Sequence, residues 1–333
     1  MRKPPTMIEV AQAAGVSPMT VSRALRPDGA VSPVTRSRIL RVAEDLGYVL
    51  DQTASGLRSQ RTGFVAVTIP SINNANFADT LRGLSDALRH TQLQILMGTT
   101  DYADDEEERL IAGMLRRRPE AIVVTGGVHT DRTRAMLRNG GVPVVEIWDL
   151  PAEPLGHVVG FSNAAAGRLM AEHFIASGHT RIGFIGGDDS RDSRGLDRRR
   201  GFLAALAEHG LDAARLVAAG PPPVTLAEGA VSMRQMLARW PDTQAVMCVS
   251  DLSAFGALCE CQRAGIAVPG QISIGGFGDY DIAQNSVPTM TTIDVSANLI
   301  GRMAAETVID LLAGREVPAL KRIEPRLIRR GTT

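Results

Sequence analysis

Three cysteines and six histidines are the side chains best suited to nucleophilic or metal chemistry in this chain. Cys259 and Cys261 are two residues apart on a predicted helix, where such positions do not share a face, so the pair lacks the spacing of a zinc or redox site. His129, His157 and His179 are scattered, without the H-E-x-x-H spacing of a zinc protease. Nucleotide-binding glycine motifs are absent, and no nucleophile lies beside a base. The sequence predicts a protein that is not an enzyme and that uses no metal or cofactor.

Hydroxyl side chains near the N-terminus have the spacing of helix caps. Thr6-x-x-Glu9 is a capping box in front of an apolar-periodic segment. Ser17-Pro18 and Ser32-Pro33 each combine a hydroxyl N-cap with a proline at the first helical position. Gly15 follows the first helix, where a positive φ is needed. Three short helices with these starts predict a helix-turn-helix bundle. The third helix is expected to bury Val34, Ile39, Val42, Ala43 and Leu46.

The second helix of such a bundle would lie in the major groove of DNA. Pro18 and Met19 at its start can recognise a base only by shape or by touching a thymine methyl, whereas Arg23 is placed for a bidentate bond to guanine. Thr6 and Ser17 are also expected at the DNA surface. The alternative is a plain three-helix bundle with solvated arginines. Short donors and one charge are placed for phosphates, which position a protein without reporting sequence: Thr20, Ser22, Ser32 and Arg36.

Charged side chains are unevenly distributed along the chain. The 333 residues carry 36 basic and 36 acidic side chains, which excludes a globally basic nucleic-acid coat and an acidic disordered chain. Residues 1–61 nevertheless hold nine basic and five acidic groups, a local charge of +4. The asymmetry indicates a nucleic-acid-binding module joined to another domain, although chance alone could produce it.

The compartment is also predicted from composition. No apolar run reaches the roughly 18 residues of a membrane-spanning helix. The N-terminus lacks the apolar core of a secretory signal. Three clustered cysteines are too few for a disulfide framework and fit a reducing environment. We therefore expect a cytoplasmic protein with no membrane partner.

From residue 62 onward, apolar strands alternate with helices. This repetition predicts an α/β fold with doubly wound parallel sheets, and the length suits two sheets rather than one. Ligands then bind beyond the carboxyl ends of the strands, between two lobes. Thr125 ends one strand, while Glu146 and Asp149 flank the end of another, where they could accept bonds from ligand hydroxyls. The strand candidates are 63–69, 93–98, 120–125, 143–147, 181–186, 245–250 and 272–277.

The string AGVSPMTVSR at 14–23, with VS at 31–32 and LGY at 46–48, resembles the LacI family of bacterial repressors, and the resemblance continues through the chain. It implies a helix-turn-helix DNA-binding domain at 1–48, a hinge segment at 49–61, and an effector-binding and dimerisation domain at 62–333. The last of these would be similar to a periplasmic binding protein, with two lobes. The end of the chain has no leucine heptad, so a homodimer is expected rather than a tetramer.

The hinge is the part of the family pattern that this sequence matches least completely. Ala54 and Leu57 match the family's small residue and the leucine that enters the minor groove. Gly56 lowers helix propensity, so a segment this short would need DNA and a second copy to become helical. Leu50 and Asp51 stand where the family usually has Pro-Asn. An ordinary linker is the alternative.

The resemblance also implies a set of effector-binding residues. Arg198 matches the family's effector-binding arginine, and Gly278 stands where the family usually has an aspartate that holds sugar hydroxyls. Loss of this carboxylate while the arginine is kept favours an anionic ligand. Asp251 is expected to N-cap the next helix. The implied effector site consists of Asn76, Phe77, Thr125, Asp149, Arg191, Arg194, Arg198, Ser250, Gly278 and Asp279, of which Arg191 and Arg194 could instead be solvated.

Four further segments, HTDRT at 129–133, GVPVVEIWD at 141–149, VGFSN at 159–163 and CECQRAGIAVP at 259–269, resemble the gluconate-operon repressor branch of the family. That resemblance implies a sugar-acid effector such as gluconate, a ketogluconate or 6-phosphogluconate. The resulting expectation is a ligand-responsive repressor that binds operator DNA. The alternatives are a repressor that responds to a neutral sugar, an α/β enzyme with a regulatory DNA-binding head, and a sugar-transport protein.

Overall fold

A computed structural model describes residues 4–25, 29–49, 62–187 and 191–333 of the chain. Contacts divide the chain into two compact units, a small helical head and a larger α/β body, with the division between Thr62 and Gly63. No helix within the described ranges is long and apolar enough to cross a membrane.

Three short helices form the head, and each begins at a hydroxyl side chain predicted to cap it. The Thr6 hydroxyl accepts the Glu9 N–H, and the Glu9 carboxylate accepts the Thr6 N–H at 2.6 Å, which completes a capping box. Gly15 and Gly47, both with positive φ, follow the first and third helices. The helices are α1 (Met7–Ala14), α2 (Pro18–Ala24) and α3 (Pro33–Leu46).

The core of the head is made where the central turns of the three helices meet. Ile39 and Ala43 of α3 are buried there as predicted, and Val42 packs against the cluster. The predicted burial of Val34 and Leu46 is wrong, because these residues are 81% and 42% exposed. They occupy the first and last turns of α3, and only the middle of this 14-residue helix faces its neighbours. The buried side chains are Val10, Ala11, Ala14, Val21, Ala24, Ile39 and Ala43.

The first lobe of the body is a six-stranded parallel sheet. Its strands are β1 (Phe64–Ile69), β2 (Gln94–Thr99), β3 (Ala121–Thr125), β4 (Val144–Ile147), β5 (His157–Gly160) and β11 (Leu320–Arg322). They lie in the order β11-β5-β4-β3-β1-β2.

Helices cover both faces of this sheet, because alternate strand residues point to opposite sides. Val65 and Val67 of β1 join a core that also contains Leu84 and Ile300, whereas Ala66 joins a separate core with Ile111. The first core belongs to α4 (Ala75–Leu88) and α12 (Ala297–Leu312). The second belongs to α5 (Asp104–Leu115) and α6 (Asp131–Asn139).

The second lobe has a four-stranded parallel sheet in the order β7-β6-β8-β9. Its strands are β6 (Ile182–Ile185), β7 (Leu216–Val217), β8 (Ala245–Cys248) and β9 (Ser273–Gly275). Its helices are α7 (Asn163–Ala176), α8 (Ser193–Glu208), α9 (Leu226–Arg239), α10 (Asp251–Arg263) and α11 (Asp281–Asn285).

The chain crosses between the lobes three times. It crosses after β5, again before α12, and finally after β11, when Thr332 bonds to Ile274 of the second lobe. The antiparallel pair β10 (Thr292–Asp294) and β12 (Arg326–Ile328) lies along the last two crossings.

The two parallel sheets with helices between their strands confirm the predicted fold class, and all seven predicted strands are present. The remaining strands, two to four residues long, carry too little periodicity to be predicted.

Candidate functional site

The start of α2 is the exposed part of the head that matches the predicted DNA-contacting surface. Pro18, Met19 and Arg23 are exposed, Met19 to 57%. Ser22 and Thr20 are half-buried. An exposed helix start with an arginine one turn further along has the form that a helix-turn-helix presents to the major groove.

Three of the residues predicted at this surface serve the helix starts. The hydroxyls of Ser17 and Ser32 accept backbone N–H groups from Thr20 and Thr35 at 3.2 and 3.3 Å. Thr6 does the same for Glu9. These side chains thereby satisfy donors that each helix leaves unpaired in its first turn.

Arg36 is held by the head itself. Its guanidinium donates from Nη1 to the carbonyl oxygen of Ala24 at 2.9 Å and from Nη2 to that of Gly29 at 2.6 Å. Ala24 is the last residue of α2, so Arg36 satisfies a carbonyl at the end of the predicted recognition helix. This arrangement gives Arg36 a structural role in positioning α2, and the phosphate contact expected from the sequence stays a prediction. Ala54 and Leu57 of the hinge lie outside the described residues.

A cleft lies between the two lobes of the body and opens to solvent. Five of the predicted effector residues line it: Asn76, Phe77, Arg194, Arg198 and Ser250. The rest of the described wall consists of Asn74, Tyr102, Trp148, Gly187, Asp192, Gly220, Pro222, Pro223, Val224, Val249, Leu252 and Phe277.

Arg198 is a buried charge in this cleft. Its Nη1 donates to Asn163 Oδ1 at 2.7 Å, and its guanidinium lies 4.1 Å from the centre of the Phe277 ring. Its Nε is buried without a hydrogen-bond partner in the described part of the chain. Burial lowers the pKa of Arg198, and the charge of Asp192 acts against this shift. A buried guanidinium with an unused donor is suited to a negatively charged ligand.

Two glycines let the helix that carries Arg198 approach its neighbour closely. A Cβ on Gly167 of α7 would lie 1.9 Å from the Arg198 carbonyl oxygen, and a Cβ on Gly201 would lie 1.9 Å from that of Ala164. Since α7 and α8 meet backbone to backbone, Arg198 is brought within reach of Asn163 at the start of α7.

The first lobe supplies an aromatic wall opposite the arginines. The rings of Phe77 and Trp148 pack edge to face with centroids 5.2 Å apart, and the Trp148 indole donates to Thr80 Oγ1 at 3.0 Å. The Arg194 guanidinium lies 5.7 Å from the centre of the Phe77 ring, across the cleft. Aromatic rings of this kind can offer apolar faces to the carbon skeleton of a ligand, and guanidinium groups can bind a negatively charged group.

Tyr280 explains why glycine occupies position 278. Gly278 has φ +124°, and a Cβ there would lie 2.2 Å from Cε1 of Tyr280 and 2.8 Å from Nδ2 of Asn76. The tyrosine hydroxyl donates to Asn74 Oδ1 at 2.8 Å. The ring therefore fills the space beside position 278 in which an aspartate side chain would lie.

The other predicted effector residues have different surroundings. Thr125 donates to the Thr68 carbonyl at 2.8 Å, and Asp149 Oδ1 accepts the Leu150 N–H at 2.8 Å. Asp279 forms an ion pair with Arg330 at 2.6 Å. Gly278 and Asp279 border a more open cavity beside α12. Arg191 is exposed. The structure does not place these five residues on the wall of the interlobe cleft.

Ser250, rather than Asp251, is the N-cap of α10, so that prediction is wrong by one residue. The Ser250 hydroxyl accepts the Ser253 N–H at 3.3 Å. Asp251 is fully buried, accepts the Tyr280 N–H at 2.8 Å and accepts the Thr292 hydroxyl at 2.6 Å. Burial raises the pKa of Asp251 to about 7. Through its bond to the Tyr280 N–H, Asp251 supports the loop that carries Tyr280.

Several residues of the cleft wall were not predicted from the sequence. Tyr102 lies shortly after β2 and Trp148 directly follows β4, so the rule that ligands bind beyond strand ends could have found both. Asp192 lies between two predicted arginines and could have been found as their counter-charge. Tyr280 and Asn163, which do not line the cleft but bond to Asn74 and Arg198 of its wall, gave no such signal, because these partners are distant in sequence.

The groups suited to metal or redox chemistry have structural surroundings. Cys248 and Cys261 are buried free thiols, and burial raises the pKa of Cys261 to about 12. His129 Nδ1 lies 2.9 Å from Glu107 Oε2, inside the first lobe. The described residues contain no group of three or more His, Cys, Asp or Glu side chains that could hold a metal ion.

Comparison with known proteins agrees with this architecture. Residues 6–51 match the family described as "Bacterial regulatory proteins, lacI family", and residues 171–333 match "Periplasmic binding protein-like domain". The HTH-type transcriptional regulator GntR of Pseudomonas aeruginosa is 38% identical over 313 residues, which cover 94% of this chain and 91% of that protein.

Solved structures give the same result. The crystal structure of a LacI-family transcriptional regulator from Silicibacter pomeroyi has a TM-score of 0.92 and 37% identity, with 99% of both chains covered. The transcriptional regulator CelR in complex with cellobiose has a TM-score of 0.70 and 28% identity, with 99% of this chain and 100% of that chain covered.

A helix-turn-helix head joined to a two-lobed, periplasmic-binding-like body with an interlobe cleft defines a DNA-binding transcriptional regulator rather than an enzyme. With a relative 38% identical over nearly its whole length, the chain belongs to the LacI family. Repressors of this family bind operator DNA and small-molecule effectors and act as dimers.

Proposed function

We propose that this regulator is a homodimeric repressor whose operator binding is controlled by a sugar acid, such as gluconate or a keto or phosphorylated derivative of it. The observation that supports this effector class is the buried Arg198 guanidinium, whose Nε has no hydrogen-bond partner among the described residues. Arg194 adds a second positive charge to the same wall. Guanidinium forks bind carboxylates and phosphates through paired hydrogen bonds, so such a pair suits an acidic ligand.

The remaining wall suits the polyhydroxylated part of a sugar acid. Asn74, Asn76, Ser250 and Asp192 offer amide, hydroxyl and carboxylate groups to ligand hydroxyls. The aromatic wall offers apolar faces to the C–H groups of the ligand, the usual combination in a small-molecule cleft. We therefore place the carboxylate beside Arg198 and the hydroxyl-bearing carbons between Trp148 and the polar groups.

Control of DNA binding would follow from the position of the ligand between lobes. Arg194 and Arg198 belong to the second lobe, whereas Asn76, Phe77 and Trp148 belong to the first. A ligand that touches both groups favours the lobe arrangement in which they are closest. In a homodimer, a change in the first lobes changes the separation of the two heads, which must match operator half-sites about one DNA turn apart.

In the DNA-bound form, we place the start of α2 in the major groove, with Met19 and Pro18 against base edges and Arg23 on a guanine. Ala54 and Leu57 would pack with their copies on the minor groove, and Leu57 would partly unstack a base step. Ser22, Thr20 and the capped helix starts would lie near phosphates.

The test is calorimetric titration of the full chain with gluconate, 2-ketogluconate, 6-phosphogluconate, ribose and galactose. We expect an acid to bind and the neutral sugars not to bind. R198M should weaken binding of that acid about 10- to 150-fold, the loss expected for a hydrogen-bonded charge pair. R200M is the matched control, because Arg200 is a largely exposed residue of the same helix that pairs with Asp197. Thermal unfolding of both variants checks that the fold is intact.

A neutral sugar is the second candidate effector. Its support is the cellobiose complex of CelR, together with the amide and carboxylate acceptors of this cleft. Binding of ribose or galactose with no acid bound, or R198M binding an acid as tightly as the unaltered chain, would overturn the sugar-acid proposal. Operator binding of the head would still stand after that result.

A further inference from the structure

The Asp192 carboxylate lies inside the arginine-lined part of the cleft. Its Oδ2 is 3.8 Å from Nη2 of Arg198, a separation too long for a hydrogen bond, and its side chain is 15% exposed. Asp192 is also the N-cap residue of α8, yet its side chain makes no capping hydrogen bond. The carboxylate thus lies beside the first turn of α8 and lines the cleft without capping the helix.

A glycine next to it keeps the carboxylate in this position. A Cβ on Gly195, in the first turn of α8, would lie only 2.2 Å from Asp192 Oδ2. Any larger residue at 195 would displace the carboxylate. The cleft thus accommodates a negative group at the point where the two arginines make it positive.

Asp192 also acts electrostatically on the two phenols near the cleft. Burial raises the pKa values of both Tyr102 and Tyr280; the charge of Asp192 is the next cause for Tyr102 and a smaller one, after Asp251, for Tyr280. Asp192 and Tyr102 both line the cleft, together with Arg198. Among the described residues that line the cleft, the charged side chains are Arg194, Arg198 and Asp192, which together carry one positive charge.

We infer that Asp192 is a specificity-determining residue that restricts the effector to a single negative charge. This inference rests on the proposed function. One carboxylate balances the surplus positive charge of these three side chains, whereas a second carboxylate or a phosphate on the same ligand is repelled by Asp192 in partly desolvated surroundings. Asp192 accepts a hydrogen bond from a ligand hydroxyl in place of that second charge. The favoured class is a polyhydroxy monocarboxylate, and dicarboxylates and phosphorylated acids are disfavoured.

The experiment measures charge preference and not affinity alone. The dissociation constants of the full chain for gluconate, with one charge, and for glucarate, with two, are compared by calorimetry with those of D192N. In D192N, the ratio of the glucarate dissociation constant to the gluconate dissociation constant should fall at least about tenfold, because the repulsion of the second ligand charge is removed. A tenfold change corresponds to about 1.4 kcal/mol of binding free energy. D192S removes the same charge with a smaller side chain and should give the same shift, so the test survives misfolding of either variant.

D197N is the matched control, because Asp197 lies on the same helix and pairs with Arg200 outside the cleft wall. It should leave the ratio unchanged. An unchanged ratio in D192N and D192S, or an equal shift in D197N, would overturn the assignment to Asp192 while leaving the sugar-acid proposal intact. If the unaltered chain binds neither acid, the proposed function itself fails, and this inference fails with it.

Discussion

The hydroxyl of Tyr280 donates to Oδ1 of Asn74 at 2.8 Å and joins the second lobe to the first beside the interlobe cleft. Both ends of this bond are held in place. Asn74 caps α4 by accepting the Asn76 N–H, and the Tyr280 N–H is bonded to Asp251. Burial raises the pKa of Tyr280 well above that of a free phenol, so its hydroxyl remains a donor at physiological pH. The bond therefore forms only in a lobe arrangement that brings Tyr280 and Asn74 together, and it stabilises that arrangement.

The first prediction concerns this bond. Y280F removes the donor and keeps the ring, and we expect the lobe arrangement seen here to lose roughly 0.5–1.5 kcal/mol relative to others. Effector affinity measured without DNA should fall about two- to tenfold. Operator affinity measured without effector should also change, because the same equilibrium governs both. A change in effector affinity alone would mean instead that the hydroxyl contacts only the ligand.

The second prediction concerns the tether of the recognition helix. R36A removes two hydrogen bonds, to the carbonyl of Ala24 at the end of α2 and to that of Gly29 in the loop after it, and we expect the head to lose about 1–2 kcal/mol of stability. Binding to operator and to random DNA should weaken together, since α2 is no longer positioned. The matched control is R38A, at an exposed position of the same helix. Weaker DNA binding without any loss of head stability would instead support the direct phosphate contact.

The third prediction concerns sequence recognition. Arg23 is exposed one turn into α2, and R23A should weaken operator binding by about 1–3 kcal/mol, the range for a lost bidentate contact with guanine. Binding to random DNA at the same salt concentration should change much less. A competition titration with both DNAs measures the difference. Equal losses on the two DNAs would show that Arg23 contacts only phosphate.

The fourth prediction is a pH dependence of stability caused by Asp251. Its pKa is raised from 3.8 to about 7 by burial, so the folded chain binds a proton that the unfolded chain releases. Its contribution to stability is fully present below about pH 4 and is lost as the pH rises through 7, at up to about 1.4 kcal/mol per pH unit.

D251N resembles the protonated carboxyl and should lose this dependence. The melting temperature of the variant, relative to that of the unaltered chain, should therefore rise between pH 4 and 7. D281N, at an exposed aspartate in the first turn of α11, serves as the control and should show a constant difference. A constant difference for D251N as well would mean that Asp251 is ionised in the folded protein throughout this range.

The head was predictable because its signals are local. A helix cap involves residues three apart in the chain, so Thr6, Ser17 and Ser32 could be assigned from spacing alone. The same holds for the alternation of strands and helices in the body. Local patterns do not show where a helix extends beyond the helices that pack against it. For this reason the predicted burial of Val34 is wrong.

The segment HTDRT shows how little a matched motif reveals about its surroundings. The sequence alone shows only that this segment resembles one branch of the family. In the folded lobe, Thr130 donates to Glu108 at 2.6 Å, and His129 lies against Glu107. Both glutamates are on α5, more than 20 residues earlier, so the segment attaches the loop after β3 to that helix.

The sequence alone determined the class of this protein: a capped helix-turn-helix head, a doubly wound two-lobed body and an arginine at the start of a cleft helix. Tertiary structure decided which side chains form the cleft. Tyr280 and Asn74 are 206 residues apart, and Arg198 meets Asn163 only because two glycines bring their helices together. Caps and hydrophobic periodicity depend on neighbours in the chain, whereas a binding surface depends on how separate elements pack, and no short spacing in the sequence records that packing.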